Sequence, residues 1–328
     1  MKPTQEAGAR RCPPRGEPAG GTIGSGVGTA FGTFGELLQG VLPEKDGDFL
    51  VTLPVARWTR ATFRPDPHMS GVVVRPAHKR KALQLARAIV EQAPRPTGVM
   101  PTGGVLTVNS VIPEGKGLAS SSADLVATAR AVGQALGIAM PAARIERLLA
   151  GIEPTDGVLY PGIVAFHHRS VRLRAVLGSL PAMTVVGIDE GGAVDTVDFN
   201  RIPKPFTTAD RHEYARLLDR LTGAIRSRDL AEVGRVATRS ALMNQSLRHK
   251  RSLERMREIS REVGGLGVAV GHSGTTLGVL LDAADPACPH RATAAARACR
   301  ELAGGVSVYR TLSFPNTHSR EPSLALPA

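Results

Sequence analysis

The chain of 328 residues is 42% hydrophobic and 21% charged, an ordinary globular composition with length for about two domains of roughly 100–200 residues each. Its net charge of +12 attracts anions, yet aromatic residues are only 4% and none is interleaved with the basic clusters His78–Lys81 and Arg248–Arg251, so no base-stacking platform for nucleic acid is legible. Cys12, Cys288 and Cys299 show no Cys-x-x-Cys spacing, which excludes a zinc ribbon or a disulfide framework, and no run of about 18 apolar residues exists to span a membrane.

Residues 1–24 are rich in Gly, Pro, Arg and Glu and bury too little apolar area to order, so a disordered tail is expected there. They offer no apolar stretch for a signal peptide, and the cytoplasm is the expected compartment. Strands are expected over 27–34, 49–54, 59–63 and 71–74, where β-branched residues lie between turn formers. Leu83, Leu85, Ala86, Ile89 and Val90 recur at helical spacing within 79–92. An alternating strand over 104–109 runs into a Gly- and Ser-rich segment. Helices follow over 121–136 and 141–151, the second opening on Pro141, where a missing N–H costs least.

A new pattern begins near Pro181. A strand over 183–188 precedes helices at 212–227, 230–243 and 253–263. Strands at 267–270 and 276–281 flank a Gly-His-Ser-Gly turn, a helix covers 292–302, and a strand closes at 306–312. Strands and helices mix without strict βαβ alternation, which predicts an α+β fold. The expected division is an N-terminal domain over 25–180, a C-terminal domain over 181–314 and a flexible tail over 315–328.

The segment between the 104–109 strand and the next helix carries the chemistry. Glycine allows close approach of a ligand to the backbone. The first amides of a helix lack intrahelical acceptors and sit at the positive end of its dipole. Together they form an anion site suited to phosphate. Lys116 adds charge, and serine hydroxyls can donate to phosphate or ligate Mg²⁺. Neither the P-loop pattern nor Gly-x-Gly-x-x-Gly is present, and a plain serine-capped turn would read the same way.

Three ordered segments resemble the motifs of the GHMP kinase superfamily. They are Gly32-Thr-Phe-Gly-Glu36-Leu-Leu-Gln-Gly40, Pro113-Glu-Gly-Lys-Gly117-Leu-Ala-Ser-Ser121-Ser-Ala123 and Gly271-His-Ser-Gly274-Thr. Ala119 departs from the glycine usual in the second motif. Within the superfamily, the Gly-Glu-Leu-x-Gln-Gly form and Glu153-Pro-Thr-Asp156 look most similar to the L-threonine kinases of cobalamin synthesis. The likeness runs from about 28 to 312.

That resemblance implies a two-domain GHMP kinase fold, with a ribosomal-protein-like N-terminal domain and a ferredoxin-like C-terminal one. It implies ATP and Mg²⁺ as cofactors and a small amino acid as acceptor: L-threonine first, then L-serine or L-homoserine. ATP would be held by Pro113, Glu114, Gly115, Lys116, Gly117, Leu118, Ala119, Ser120, Ser121 and Ser122, with Gly271, His272, Ser273 and Gly274. The family's magnesium ligands map to Ser121 and, by spacing, Glu146, with Glu153 as its rival. Asp156 matches the catalytic base, although the usual Ser-Gly-x-Asp is absent and an Asp-Gly turn is its plain alternative. Glu36 and Gln39 are candidates for the acceptor's ammonium group.

The lysine that mevalonate-type members carry near motif one has no counterpart, so Lys116 or an arginine is expected to supply the activating charge. His167 and His168 would face opposite sides of a strand and share no metal. Asn244 and Gln245 have no evident role. Rival readings are a homoserine or specialised-metabolite kinase and a non-catalytic nucleotide-binding regulator. No nucleic-acid or membrane partner is expected, and a homodimer is left open.

Overall fold

Two long strands frame the molecule, which a computed structural model describes over residues 24–93, 102–192, 202–272 and 274–315. The expected tails lie outside these residues save for Gly24 and Pro315, and so does Ser273. β1 (Gly26–Val41) pairs antiparallel with β2 (Asp48–Pro65), from Gly26↔Phe63 to Val41↔Asp48. The segments expected at 49–54 and 59–63 are therefore one strand. Its register jumps from Phe31↔Trp58 to Gly32↔Val55, so Ala56 and Arg57 bulge out where the sequence looked broken.

Beyond β2 come β4 (Gly104–Ser110), antiparallel, and β3 (Val72–Arg75), parallel to β4. On its other edge β1 meets β8 (Gly267–Val270) at the pair Glu36↔Val270. From β8 the sheet continues through β9 (Thr276–Asp282) and β7 (Met183–Asp189) to β10 (Val306–Arg310). β5 (Ile163–His167) pairs with β2 and with β6 (Arg172–Gly178). The fold is α+β, as expected, but its sheet runs unbroken past position 180.

Seven helices cover the sheet among the described residues: α1 (Arg80–Glu91), α2 (Ser120–Ala135), α3 (Ala142–Ala150), α4 (Thr208–Ser227), α5 (Leu230–Met243), α6 (Leu253–Glu262) and α7 (Cys288–Arg300). The side chains of α4 and α5 that serve as caps are legible in sequence. Thr207 and Asp210 form a capping box, and Asp229 accepts from the Glu232 amide. None of the helices is long and apolar enough to cross a membrane.

α2 is buried nearly all round, and its small residues let it lie directly on β1. A Cβ on Gly28 would fall 2.1 Å from the Ala127 carbonyl oxygen, and one on Gly26 2.0 Å from that of Ala131. On the other side of the seam Phe34, fully buried, fills space that Gly187 and Gly278 leave open. A second core lies under α6 and α7, where Leu277, Val279 and Leu281 of β9 face Met256, Ile259, Ala295 and Cys299.

Replacing Gly28 by Val is expected to lower the free energy of unfolding by about 3 kcal/mol, the upper part of the usual range for overpacking. Urea titration followed by circular dichroism measures it. A loss under about 0.5 kcal/mol, the size of an ordinary surface change, would show that α2 does not rest on β1.

Candidate active site

The Gly-rich loop reaches α2 through left-handed turns at Gly115 (φ +70°), Gly117 (φ +79°) and Ala119 (φ +58°). For Ala119 that conformation costs on the order of 1–2 kcal/mol, which a glycine would avoid. Two backbone bonds seat the loop on β1: Thr33 N–H donates to Leu118 O and Gly35 N–H to Gly117 O, each at 3.2 Å. Gly35 itself bulges at φ +55°, and a Cβ there would strike Val270 O at 2.3 Å. From the opposite half, Gly274 comes so near that its Cβ would lie 2.0 Å from Lys116 O. Motifs distant in sequence therefore meet at bare backbone.

A cavity of ≈ 70 Å³ opens at this junction, lined by the loop, Glu36, Glu153, Thr155, Asp156, His168 and His272. The three serines at the start of α2 divide its work. Ser120 Oγ donates to Ile112 O (3.3 Å) and closes the loop. Ser121 Oγ donates to Glu153. Ser122 Oγ donates to Asp156 Oδ2 (3.2 Å) and accepts from the Asp156 amide (3.1 Å), fixing that carboxyl. Burial pushes the Asp156 carboxyl up to about 6, with the Ser122 hydroxyl acting against it and the Glu153 charge adding to it.

The structure does not bring Glu146 to Ser121. Its Oε1 accepts from Tyr160 Oη (2.8 Å) and the Leu173 amide (2.7 Å), tying α3 to β6. Glu153, the rival of Glu146, is the one beside Ser121: its almost fully buried carboxylate lies between the Ser121 hydroxyl and the Lys81 ammonium group. Spacing along α3 suggested Glu146, but the chain leaves the helix before it reaches the cavity.

Glu36 sits at the β1–β8 link, 4% exposed, and its Oε2 has no hydrogen-bond partner among the described residues. Burial raises its pKa well above the usual carboxylate range, helped by the charge of Asp156 and opposed by Lys250 and the His272 amide. Gln39, by contrast, stands behind the cavity. Its Nε2 donates to Val270 O (3.4 Å), which leaves Oε1 to accept from His272 Nδ1 at 2.5 Å. Asn244 Nδ2 donates to Gln39 O (2.8 Å) and to Tyr214 Oη (3.2 Å), and Gln245 brackets Lys250, so both residues are framework. Burial, with His168 and the ammonium groups of Lys204 and Lys250 nearby, drops the His272 pKa well below 6.5 and keeps the ring neutral.

Four residues at the site are not assigned to it by the sequence: His168, Lys250, Arg248 and Lys81. His168 follows β5 and lines the cavity, whereas its neighbour His167 meets Asp48 O. Lys250 and Arg248 both donate to Gly274 O and so hold the third-motif turn. Burial lowers Lys250 to about 8, with Arg248 adding to the fall and Glu190, Glu36 and Asp189 opposing it. Lys81 pairs with Glu153. Lys116 does not face the cavity; it pairs with Asp189 (2.6 Å) and donates to Gly192 O (2.8 Å). A second cavity of ≈ 370 Å³ adjoins the first, sharing Gly115, Ser120, Ser121 and Glu153, and the cluster His78–Lys81 lines it. That cluster borders the cavity while His78, Arg80 and Lys81 stay exposed to solvent.

Ser121 and Glu153 offer hard oxygen donors side by side, a donor set that suits Mg²⁺. The loop amides and the α2 N-terminus suit phosphate. No group of three or more His, Cys, Asp or Glu side chains able to hold a metal occurs among the described residues, so a metal here would complete its shell with oxygens from a ligand or water.

Comparison with known proteins points the same way. The family profile for the GHMP kinases N terminal domain matches residues 80–159, and that for the GHMP kinases C terminal matches 221–303. An L-threonine kinase of Citrobacter freundii is 29% identical over 178 residues, 54% of this chain and 62% of that protein. The chain thus spans less than two thirds of that relative's length. The crystal structure of a homoserine kinase from Cytophaga hutchinsonii superposes with a TM-score of 0.67 at 17% identity, covering 89% of this chain and 96% of that one. A structure described as MDDEF in complex with MVAPP, AMPPCP and magnesium gives 0.61 at 15% identity, over 89% and 98%.

Lys250 makes a pH prediction. The unfolded chain holds that lysine's proton to about pH 10.4, whereas the folded chain releases it near 8. Between those values the unfolded state binds more protons, so stability rises with pH, by about 1–3 kcal/mol. Chemical unfolding at pH 8 and pH 10 is expected to show that rise in the wild type and to lack it in Lys250→Met. Equal slopes in the two proteins would contradict the burial of this lysine.

Proposed function

The chain carries both domains of the GHMP kinases in the GHMP kinase fold, and on that premise we propose that it transfers the γ-phosphoryl group of ATP to the side-chain hydroxyl of a small amino acid, L-threonine first. The observation that carries this reading is that two carboxyls, the buried Glu36 and the half-buried Asp156, line one small cavity against the phosphate-type loop.

In the proposed reaction the hydroxyl oxygen forms the new bond to the γ-phosphorus. The bond from that phosphorus to the β,γ-bridging oxygen breaks, and its electron pair leaves with ADP. The hydroxyl proton passes to Asp156, which Ser122 holds in place. Phosphoryl transfer asks mainly for positioning and charge neutralisation, so a base, a loop of amides and cations suffice. Ser121 and Glu153 would hold Mg²⁺, which when bound screens the phosphate charge.

Glu36 supports an amino acid as acceptor. A buried carboxyl with a bare oxygen is costly unless a ligand donates to it, and an α-ammonium group would. Size agrees: since about 10–15 Å³ of such volume accommodates one water, ≈ 70 Å³ admits a handful of heavy atoms. Threonine fits that class better than a hexose. The likeness to an L-threonine kinase ranks threonine ahead of serine and homoserine. The product would then be O-phospho-L-threonine.

Purified protein with ATP and Mg²⁺ is to be offered threonine, serine, homoserine, mevalonate and galactose while ADP release is followed. Turnover is expected with the amino acids and fastest with threonine; none on any of them would sink the reading. Asp156→Asn is expected to lose on the order of 10²–10⁴ in kcat, the usual contribution of a general base. Because the base must be ionised, kcat/KM for the wild type should fall as pH drops through about 6, and Asp156→Asn should lose that limb. Glu153→Gln should abolish the Mg²⁺ response, whereas Glu146→Gln should lower the melting temperature and leave kcat within about threefold, as suits a residue outside the site.

A further inference from the structure

Four lysines surround the loop, and three are committed elsewhere. Lys79 is 9% exposed and is held by Asp124 at 2.5 Å and Glu114 at 2.6 Å. Lys116 is turned to Asp189, and Lys250 is buried against Gly274 O. Lys81, the second residue of α1, differs. Its side chain is 46% exposed, and its one ion-pair partner among the described residues is Glu153, whose side chain is 2% exposed.

The ammonium group of Lys81 thus lies where the two cavities join, beside the carboxylate that faces Ser121. A buried carboxylate needs a cation, and a metal bound by Ser121 and Glu153 would meet that need in place of the lysine. An exposed four-carbon stem lets the ammonium group move the short way from Glu153 to a phosphate oxygen. Lys116, the lysine of the loop, is taken up by Asp189, so a mobile cation at this junction has a job open to it.

We propose that Lys81 is a phosphate-binding residue of this site, trading Glu153 for the phosphate chain of a nucleoside di- or triphosphate. This rests on the kinase reading, and the test separates the two. Calorimetry would measure ADP binding to wild type, Lys81→Met and Lys81→Arg, in chelator and again with Mg²⁺, beside kcat and the KM for threonine. Thermal melts would check that each variant is folded.

Losing a charge-assisted contact is expected to weaken metal-free ADP binding by Lys81→Met on the order of tenfold or more, with a parallel fall in kcat. The KM for threonine should move by less than about threefold, and Lys81→Arg should recover most of the ADP affinity, since a contact to phosphate is served by either cation. A lysine that only neutralises Glu153 would leave metal-free ADP affinity unchanged in a folded Lys81→Met protein. That result, in a wild type that binds ADP, overturns the role of Lys81 alone. A wild type that binds no ADP overturns the kinase reading and this role with it.

Discussion

Contact between three stretches of naked backbone governs the rest of the structure. Gly35, Gly117 and Gly274 come together so closely that a single Cβ at any of them would fall within 3 Å of a neighbouring main-chain atom. Protein interiors yield little to such intrusion, because they are packed as densely as organic crystals. The bulge at Gly35 lets β8 join β1 through the single pair Glu36↔Val270. The same pair places the Glu36 side chain at the seam. The loop is thereby clamped between β1 and the third-motif turn, and Thr276 Oγ1 adds a bond to Lys116 O at 2.9 Å. Rigid backbone at the centre lets the chemistry be done by side chains around it.

Several of those side chains are acidic, which is costly in a buried place. Each carboxylate meets that cost differently. Among the described residues Asp124 accepts from Lys79 and Thr59, Glu153 from Lys81 and Ser121, and Asp156 from Ser122 alone. Glu36 has only the His272 amide and the more distant charge of Lys250 in its favour. The less a carboxyl is compensated, the more its proton affinity rises, and the readier it is to take a proton or a cationic ligand. The two poorly compensated groups, Asp156 and Glu36, line the smaller cavity with Glu153, which borders both cavities; the well-compensated Asp124 lines only the larger one.

Local features were legible in the sequence and long-range ones were not. Glycines and serines between an alternating strand and an apolar helix announce a phosphate-type loop, because each link in that inference spans a few residues. Spacing alone does not choose between Glu146 and Glu153, because spacing along a helix says nothing of where the chain goes after it; the structure ties Glu146 to Tyr160 and Leu173. The place of Gln39 behind the cavity is hidden from the sequence because register shifts on either side of Glu36 break the simple two-residue alternation of β1. His168 and Lys250 reach the site only through β5–β2 pairing and through Gln245, contacts that no local pattern announces. The continuous β2 was hidden by its own bulge.

The position of Lys116 shows why the missing charge must come from outside the loop. In sequence this lysine is the natural phosphate ligand, since two glycines flank it. Those glycines also let the third-motif turn approach, and the approach puts the end of β7 within reach of the lysine. Asp189 and Gly192 O take its ammonium group, and Thr275 donates to the same aspartate. A lysine so engaged joins the two halves of the sheet and leaves the loop amides to meet an anion unaided. The nearest cations facing the open side belong to the start of α1, a helix that the β3–β4 edge carries up to the mouth of the larger cavity. Close backbone packing at the seam thus displaces the positive charge from the loop to the neighbouring helix.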